Sequence, residues 1–337
     1  MIILECSDEN KIHNMYKKFA KTLISHKKPG LITHISPDGD AIGSQIALYL
    51  WFRQQGIDVC LFNDDPVPQN LAWLANQEKI EAPSEKKLDE CDAYIFIDGN
   101  HPSRFGKMSG YFEHTDKPVY LIDHHLDPPE KLFAGLCWDP EASSTAYLVF
   151  KLFETVDPDL ITTEVAEALY TGIVTDTGSF RFNSVTAETH FAIGEIISRG
   201  RIKPSDVYEQ IYDSKTLSQY HLLGHTLNNI TLHCDERLAI TCVTEAMLQD
   251  TGCDQDDIEG FVNYALSISG VWVSLLLYER GGRLKISFRG KSKIDLNKVA
   301  RNFEGGGHFN AAGGWHDGPV EKAIDDLVGH FSPLITS

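Results

Sequence analysis

Aspartate and histidine residues cluster at the ends of short apolar segments in this chain. Three such segments are "LITHISPDGD", "IFIDGN" and "LIDHH", and a fourth apolar run, "TGIVTD", also ends in an aspartate. The residues that these segments supply are His34, Asp38, Asp40, Asp98, Asp123, His124, His125 and Asp176. Carboxylates and imidazoles together are ligands for divalent cations, so a metal site is the first chemistry to consider.

The acids of these segments would repel one another unless something positive lies among them. Burying an unpaired carboxylate is costly, and no Lys or Arg stands beside them. Any one of these Asp residues could be a turn former or a helix N-cap. Turns are a poor explanation, however, for four apolar segments that each end in Asp or His. A ligand set without thiolate suits Mn²⁺ or Mg²⁺ better than a structural zinc. The ligands are too many for one ion and adequate for two ions about 3.5 to 4 Å apart.

The hydrophobic pattern predicts the elements that must position these residues. Apolar runs over residues 30–35, 58–63, 93–98 and 119–123 predict strands, and helical spacing over residues 40–56 predicts a helix with Gly56 as its C-cap. This alternation predicts an α/β fold with a doubly wound, mostly parallel sheet and helices on both faces. Ligands bind outside the carboxyl ends of such strands. We count "TGIVTD" as a fourth strand end, although it lies in a block with helical spacing.

The pattern changes in the last third of the chain. Residues 229–244 and 271–290 are typical of two hairpin-like strand pairs, and residues 296–303 of a helix. The length of 337 residues also exceeds the roughly 250 to 300 residues at which single cores divide. We predict a catalytic domain over residues 1–205, a linker over 206–229 and a smaller α/β domain over 230–337. The active site is expected in the cleft between the domains.

Two features of the smaller domain indicate phosphate binding. Gly305, Gly306 and Gly307 precede His308 in "EGGGHFNAAGG", and glycine lets successive backbone N–H groups turn toward an anion. Arg289, in "SFRGKS", offers a bidentate fork. It belongs to a basic segment that contains Arg280, Arg283, Lys285, Arg289, Lys291, Lys293, Lys298 and Arg301. The alternatives are a flexible turn for the glycines and a solvated face for the cations.

Composition excludes several classes of protein. The net charge of −18 argues against a surface that holds long duplex nucleic acid. Seven cysteines without a C-x-x-C pair suggest neither a disulfide framework nor a thiolate zinc site. The chain shows no leader pattern and no run of 18 uncharged apolar residues. These observations predict a soluble cytoplasmic protein with no membrane partner.

The quoted segments resemble the motifs of a known family in order and in spacing. "HISPDGDAIGS", "FIDGNHPSRFG", "LIDHH" and "LYTGIVTDTGSF" resemble the four motifs of the DHH phosphoesterases. "GGGHFNAAGG" resembles the signature of the DHH-associated C-terminal domain in the oligoribonuclease and pAp-phosphatase branch, often called nanoRNases. One departure is Asp127, where that branch often has Asn. It concerns contacts of that loop rather than the metal site.

The resemblance implies that the acids are divided between two metal ions. The implied ligands are His34, Asp38 and Asp98 for one ion, and Asp40, Asp98, His124 and Asp176 for the other. Asp98 would bridge the ions, and sharing one carboxylate is how two dications are tolerated so close together. The resemblance further implies that Asp123 orients an imidazole and that His125 faces the scissile phosphate. Arg104, in the second motif, would contact phosphate or brace its loop.

The function implied by the resemblance is metal-dependent phosphoester hydrolysis. Short RNA oligonucleotides would yield mononucleotides, and 3′-phosphoadenosine 5′-phosphate (pAp) would yield AMP and phosphate. A water activated between two Mn²⁺ ions, or alternatively two Mg²⁺ ions, would attack phosphorus. A cyclic dinucleotide is an alternative substrate for the same chemistry. The C-terminal signature argues against the runner-up, an exopolyphosphatase or pyrophosphatase.

A nucleotide-binding regulatory module without turnover is the alternative from a different class of protein. Such a module would normally have lost a ligand type, and every motif Asp and His is present here. The resemblance also implies a homodimer formed through the N-terminal domain.

Overall fold

The computed structural model describes residues 9–291, 293–307 and 309–335. The chain divides into two compact units, Met1–Ser214 and Lys215–Ser337. The segment expected as a linker, residues 206–229, lies mostly in two helices, Pro204–Tyr212 and Leu217–Asn228. The division between the units falls between these two helices.

The N-terminal unit contains a six-stranded sheet in which every neighbouring pair is parallel. Its strands are β1 (Pro29–Thr33), β2 (Cys60–Phe62), β3 (Ile80–Glu81), β4 (Ala93–Ile97), β5 (Val119–Asp123) and β6 (Gly135–Trp138). The order β3-β2-β1-β4-β5-β6 places the topological switch point between β1 and β4, where ligands of such sheets bind. The predicted strands are confirmed. The sequence analysis missed β3 and β6, which are only two and four residues long.

Helices cover both faces of this sheet, as predicted. They are α1 (Glu9–Leu23), α2 (Gly39–Gln54), α3 (Glu85–Asp89), α4 (Ser109–Phe112), α5 (Thr145–Val156), α6 (Thr163–Asp176), α7 (Ala187–Gly200) and α8 (Pro204–Tyr212). Alternate residues of β4 enter different cores: Ile95 packs in the cluster that includes α2, α5 and α6, and Phe96 packs with Phe105 and Met108. Because both faces are buried, the strands are apolar throughout rather than alternating.

Helices α2 and α6 cross where each has a glycine. A Cβ atom on Gly43 of α2 would overlap the carbonyl oxygen of Ala168 in α6, and one on Gly172 of α6 would overlap the side chain of Ala146 in α5. The close approach brings the first turn of α2 beside the last turn of α6. It therefore places Asp40 and Asp176 at the same rim.

The interpretation of "TGIVTD" as a strand end was wrong. These residues form the last turns of α6, and Asp176 is the final residue of that helix. The run is apolar because α6 is buried among α2, α5 and α7, with Ile173 and Val174 at most 1% exposed. A buried helix end and a buried strand end look alike over so short a segment.

The C-terminal unit has a mixed six-stranded sheet. Its strands are β7 (Thr231–His233), β8 (Leu238–Val243), β9 (Val273–Arg280), β10 (Arg283–Gly290), β11 (Gly306–Gly307) and β12 (Ala311–His316), in the order β11-β12-β10-β9-β8-β7. β8 and β9 are parallel, and the other pairs are antiparallel, including the predicted pairs β7–β8 and β9–β10. The helices are α9 (Leu217–Asn228), α10 (Glu245–Thr251), α11 (Val262–Leu266), α12 (Leu296–Arg301) and α13 (Val320–Ile335). Among the helices of the described ranges, none is both long and apolar enough to span a membrane.

We expect Gly43→Ala to destabilise the N-terminal unit, because the new methyl group must displace the α6 backbone. Overpacking of this kind costs about 1 to 3 kcal/mol, measured as a lower urea midpoint. Gly194→Ala in α7 is the matched control, since a Cβ there meets nothing within 4 Å. It should instead stabilise by roughly 0.5 to 1 kcal/mol. Equal effects of the two substitutions would show that the helix crossing tolerates a side chain.

Candidate metal centre

Three neighbouring strands and two helices bring the predicted metal-binding residues to one rim of the N-terminal sheet. His34 follows β1, Asp98 follows β4 and Asp123 ends β5, and these three strands are neighbours in the sheet. Asp38 and Asp40 lie at the start of α2. The strands converge on this rim because their carboxyl ends all point the same way in a parallel sheet.

His34, Asp38 and Asp98 form one group that could hold a metal ion, with ligand atoms within 4.8 Å of one another. Nδ1 of His34 lies 2.8 Å from the carbonyl oxygen of Ile35. Because a carbonyl oxygen can only accept a hydrogen bond, Nδ1 carries the proton. The other nitrogen, Nε2, lies 3.4 Å from Oδ2 of Asp98. In the neutral ring, Nε2 therefore has a lone pair that it can offer to a metal ion. Asp38 is also the N-cap of α2 and accepts the N–H of Asp40 at 3.0 Å. Capping and metal ligation are compatible, because each carboxylate oxygen has two lone pairs.

Asp40, His124 and Asp176 form another group that could hold a metal ion. Nε2 of His124 lies 3.4 Å from Asp176 Oδ2, 3.7 Å from Asp98 Oδ1 and 3.9 Å from Asp40 Oδ2. Its Nδ1 lies 3.1 Å from the carbonyl oxygen of Ala142. Both rim histidines therefore donate Nδ1–H to the backbone and turn Nε2 toward carboxylates, which is the usual support of a metal-bound imidazole.

Asp98 belongs to the first of these groups and also lies beside the second. Its Oδ2 is next to His34, and its Oδ1 is next to His124 and accepts a hydrogen bond from Oγ1 of Thr145 at 2.9 Å. The backbone of Asp98 has φ of +57°, a left-handed conformation that Asp tolerates better than most residues. Each carboxylate oxygen thus faces a different half of the cluster.

Asp123 and His125 form a hydrogen-bonded pair beside this cluster. Asp123 Oδ1 accepts from His125 Nδ1 at 2.7 Å and from the backbone N–H of His124 at 2.8 Å. The indole N–H of Trp138 donates to the carbonyl oxygen of His125 at 2.7 Å. The ligand atoms of Asp98, His124 and His125 also lie within 4.8 Å of one another. Because Nδ1 of His125 donates its hydrogen to Asp123, it has no lone pair to offer to a metal ion. This favours the role predicted for His125, which is to face the phosphate.

Two of the rim acids, Asp40 and Asp176, are held where their negative charges are disfavoured. Burial, with the charges of Asp98 and Asp176, raises the pKa of Asp40 well above its usual value. Burial raises the pKa of Asp176 to about 6, against an opposing contribution from His124. Burial alone would raise the pKa of Asp98 too, but the hydrogen bond from His34 and the charge of His125 hold it below its usual range. Divalent cations would relieve this repulsion, and carboxylate with imidazole is a ligand set that Mn²⁺ and Mg²⁺ accept.

Residues that the sequence motifs did not single out hold the candidate ligands in place. The backbone N–H groups of Thr145 and Ala146, at the start of α5, donate to Oδ2 and Oδ1 of Asp40 at 2.7 and 2.8 Å. Ser144 is the N-cap of α5, so "SST" before an apolar run was a readable helix-start signal. At the end of β2, Asp65 accepts the N–H of Ser36 at 2.7 Å. That strand-end acid braces a loop of the rim.

The predicted substrate-binding residues are in both units. In the N-terminal unit, the carbonyl oxygen of Arg104 accepts the N–H of Ile35 at 2.7 Å, so its backbone braces the loop after β1. Burial alone would lower the pKa of His34, but its hydrogen bond to Asp98 and the charge of Asp38 outweigh burial and raise it, with the Arg104 charge acting in the opposite direction. In the C-terminal unit, Arg289 lies on β10. His308 lies outside the described residues.

The glycine segment differs from the expected anion-binding loop. Gly305 donates its N–H to the carbonyl oxygen of Ala300 at 3.0 Å, and Gly307 donates to Oδ1 of Asn297 at 3.2 Å. A Cβ atom on Gly305 would overlap the backbone of Gly313. Two of the three N–H groups thus bond within the unit. Close packing against β12 requires Gly305 and Gly307, so the presence of these two glycines is not evidence for an anion site, whereas a Cβ atom on Gly306 would meet nothing closer than Asn297 Oδ1, at 3.6 Å.

The fold and the site together define a phosphoesterase of the DHH family, and the chain belongs to that family. Residues 30–173 match the model of the DHH family N-terminal domain, and residues 236–335 match the DHHA1 domain. The protein is a phosphoester hydrolase, as the sequence analysis predicted. The regulatory module without turnover is therefore disfavoured.

Two curated relatives share most of their length with this chain. It is 31% identical to the bifunctional oligoribonuclease and PAP phosphatase NrnA of Thermus thermophilus, over 84% of this chain and 82% of that protein. It is 27% identical to the Bacillus subtilis protein of the same name, over 87% and 88% of the two chains. Among solved structures, an exopolyphosphatase-related protein from Bacteroides fragilis superposes with a TM-score of 0.89 at 32% identity, covering 96% and 98% of the two chains.

We expect Asp98→Asn to keep the fold and lose metal binding and turnover. Asn tolerates the left-handed backbone as Asp does, but it cannot supply the negative charge that both groups share. The loss of kcat should exceed the roughly 10- to 100-fold typical of residues that only support a ligand. Asp127→Asn is the matched control, because Asp127 is an exposed Asp with φ of +58°. Two bound Mn²⁺ ions and a normal rate in Asp98→Asn would refute the shared role.

Stability of the chelator-treated protein should depend on Asp176 in the opposite sense to an ordinary acid. Its pKa is about 6 in the folded chain against 3.8 for an unperturbed Asp, so the folded state binds the proton more tightly. The stabilisation is present at low pH and is lost as pH rises from about 4 to 6. At pH 7.5, Asp176→Asn should therefore raise the free energy of unfolding by up to about 3 kcal/mol, and at pH 4.5 by much less. With Mn²⁺ the wild type should become the more stable protein; a destabilised metal-free variant at pH 7.5 would contradict the prediction.

Proposed function

We propose that the protein hydrolyses short oligoribonucleotides to mononucleotides and pAp to AMP and phosphate. The observation that carries this is the position of Asp98, with one carboxylate oxygen beside each of two metal-compatible groups. Support for the substrate class comes from the relatives named as oligoribonuclease and PAP phosphatase, which match along more than four fifths of this chain.

We assign the residues of the rim to two divalent ions, with Mn²⁺ favoured over Mg²⁺. The first ion is held by His34, Asp38 and Asp98, and the second by Asp40, Asp98, His124 and Asp176. When bound, such a pair lowers the pKa of a water molecule and neutralises charge on the attacking and leaving oxygens. The inward Nε2 atoms of the two histidines and the mutually repelling acids support this assignment.

His125 is assigned to the phosphate rather than to a metal ion. Its Nδ1–H bond to Asp123 fixes the orientation of the ring. In its charged form the ring can donate Nε2–H to a phosphoryl oxygen. Asp123 is the positioning residue of this pair, because it is fully buried and touches the substrate only through His125.

The N-terminal unit is assigned to catalysis and the C-terminal unit to substrate binding. On β10, Arg289 lies on the same side of the strand as Lys285, and the intervening Ile286 and Phe288 are fully buried in the core. Two cations on one face of a strand suit a phosphate of the substrate. We keep His308 in this assignment from its sequence position alone.

The direct test is hydrolysis by chelator-treated and metal-restored protein. We expect no turnover in excess chelator and recovery that is better with Mn²⁺ than with Zn²⁺ or Ca²⁺. Substrates should include a ribodinucleotide, pAp, a 24-mer RNA, pyrophosphate and polyphosphate. Release of mononucleotides from the dinucleotide and of phosphate from pAp supports the proposal.

Polyphosphate discriminates the alternative function, because the Bacteroides fragilis relative is called exopolyphosphatase-related. Preferred use of polyphosphate over the dinucleotide would replace the proposed substrate class while leaving the metal chemistry intact. Full activity after the metal has been removed would reject the metal-dependent mechanism itself.

We expect Arg289→Ala to weaken use of a dinucleotide far more than use of bis-p-nitrophenyl phosphate. A charge-assisted contact is worth about 1.5 to 3 kcal/mol, or roughly 10- to 150-fold in kcat/KM. Lys298→Ala is the matched control from the same basic segment, because Lys298 is 82% exposed and pairs with Asp295. It should change kcat/KM by less than about threefold. Equal losses of Arg289→Ala on both substrates would show that Arg289 does not bind the substrate phosphate.

A further inference from the structure

Thr145 uses both of its donors on carboxylates that come from two other elements. It is the first residue of α5 and is fully buried. Its backbone N–H donates to Oδ2 of Asp40 at 2.7 Å, and its hydroxyl donates to Oδ1 of Asp98 at 2.9 Å. One residue thus joins the acid at the start of α2 to the acid at the end of β4.

Both oxygens that Thr145 contacts face the same half of the cluster. Asp98 Oδ1 and Asp40 Oδ2 lie 3.7 and 3.9 Å from Nε2 of His124. The other oxygen of Asp98, Oδ2, lies by His34. The contacts of Thr145 therefore concern the site assigned to the second ion.

The hydroxyl bond also fixes the rotation of the Asp98 carboxylate. The terminal torsion of Asp has broad minima, so the carboxylate plane is set by what bonds to it. The neighbouring Asp40 charge repels Oδ1, whereas the Thr145 hydroxyl attracts it through a charge-assisted hydrogen bond. Without the hydroxyl, Oδ1 would have less reason to stay beside Asp40 and His124.

We propose that Thr145 is a positioning residue that holds Asp98 and Asp40 for the second metal ion. The inference rests on the proposed two-ion centre and adds a residue and a selectivity to it. Loss of the hydroxyl weakens the ion assigned to Asp40, Asp98, His124 and Asp176 more than the ion assigned to His34, Asp38 and Asp98.

Three variants separate the hydroxyl from its surroundings. Thr145→Val keeps the shape and the backbone N–H but removes the hydroxyl. Thr145→Ser keeps the hydroxyl and removes a methyl group. Thr226→Val is the matched control, because Thr226 is equally buried in a helix of the C-terminal unit and its hydroxyl donates to a neutral acceptor, the backbone carbonyl of Leu222.

Mn²⁺ binding to the full chain is measured by calorimetry and by electron paramagnetic resonance, without substrate. Wild type, Thr145→Ser and Thr226→Val are expected to bind two ions and to show the exchange-coupled spectrum of an ion pair. Thr145→Val is expected to bind one ion normally and the other roughly 10- to 100-fold more weakly. At limiting Mn²⁺ it should show the spectrum of isolated ions. Thermal unfolding in chelator checks that both variants fold, and Thr145→Val is expected to unfold at the lower temperature because it alone loses a charge-assisted hydrogen bond.

The outcomes separate this inference from the function on which it rests. If Thr145→Val binds both ions with wild-type affinity, or binds both equally more weakly, the proposed role of the hydroxyl is wrong. The two-ion centre itself is not affected by that result. Equal losses in Thr145→Ser and Thr145→Val overturn the role of the hydroxyl as well, because packing would then be the cause. A wild type that binds fewer than two ions overturns the two-ion centre and this inference with it.

Discussion

Repulsion among buried carboxylates is the constraint on which the rest of the N-terminal unit depends. Asp40 and Asp98 are almost completely buried within reach of one another and of Asp176, and a folded chain must hold them there before any cation arrives. Backbone N–H groups, which carry a partial positive charge and are fixed in place, hold the carboxylates there. The first N–H groups of α5 donate to both oxygens of Asp40, and a helix N-terminus favours negative charge. The rim is therefore a site whose anions are oriented in advance by neutral donors and whose negative charge divalent cations would neutralise.

Orientation of this precision requires rigid supports, and the fold supplies them close to the site. Asp98 follows a central strand, Asp40 and Asp176 are at helix ends, and α2 and α6 are locked at Gly43 and Gly172, where no side chain separates them. A larger residue at either glycine would move one acid relative to the other. Gly43 and Gly172 therefore help to position the acids of the candidate metal site, and a Cβ atom on Gly172 would lie 2.9 Å from Oδ1 of Asp40.

The sequence predicts the part of this site that follows from strand direction. Residues at the carboxyl ends of β1, β4 and β5 must meet because parallel strands end at one edge, so His34, Asp98 and Asp123 could be placed without a structure. Asp176 could not be placed so securely, since the six-residue segment "TGIVTD" does not distinguish a buried helix from a strand. Thr145 was harder still. A threonine at the start of an apolar helix is typical of capping, and only the folded chain shows that its donors reach Asp40 and Asp98.

The two units differ in how far packing alone explains the residues of their motifs. In the C-terminal unit, packing against β12 accounts for Gly305 and Gly307 by itself, so these two glycines say little about a ligand. In the N-terminal unit, capping of α2 accounts for Asp38, but such local roles do not account for burying Asp40 and Asp98 within reach of one another and of Asp176. An apolar rim would avoid the burial that raises the pKa of Asp40 and Asp176, and natural sequences tend to violate local stability at functional sites. The functional assignment therefore rests on the residues that the fold alone would disfavour.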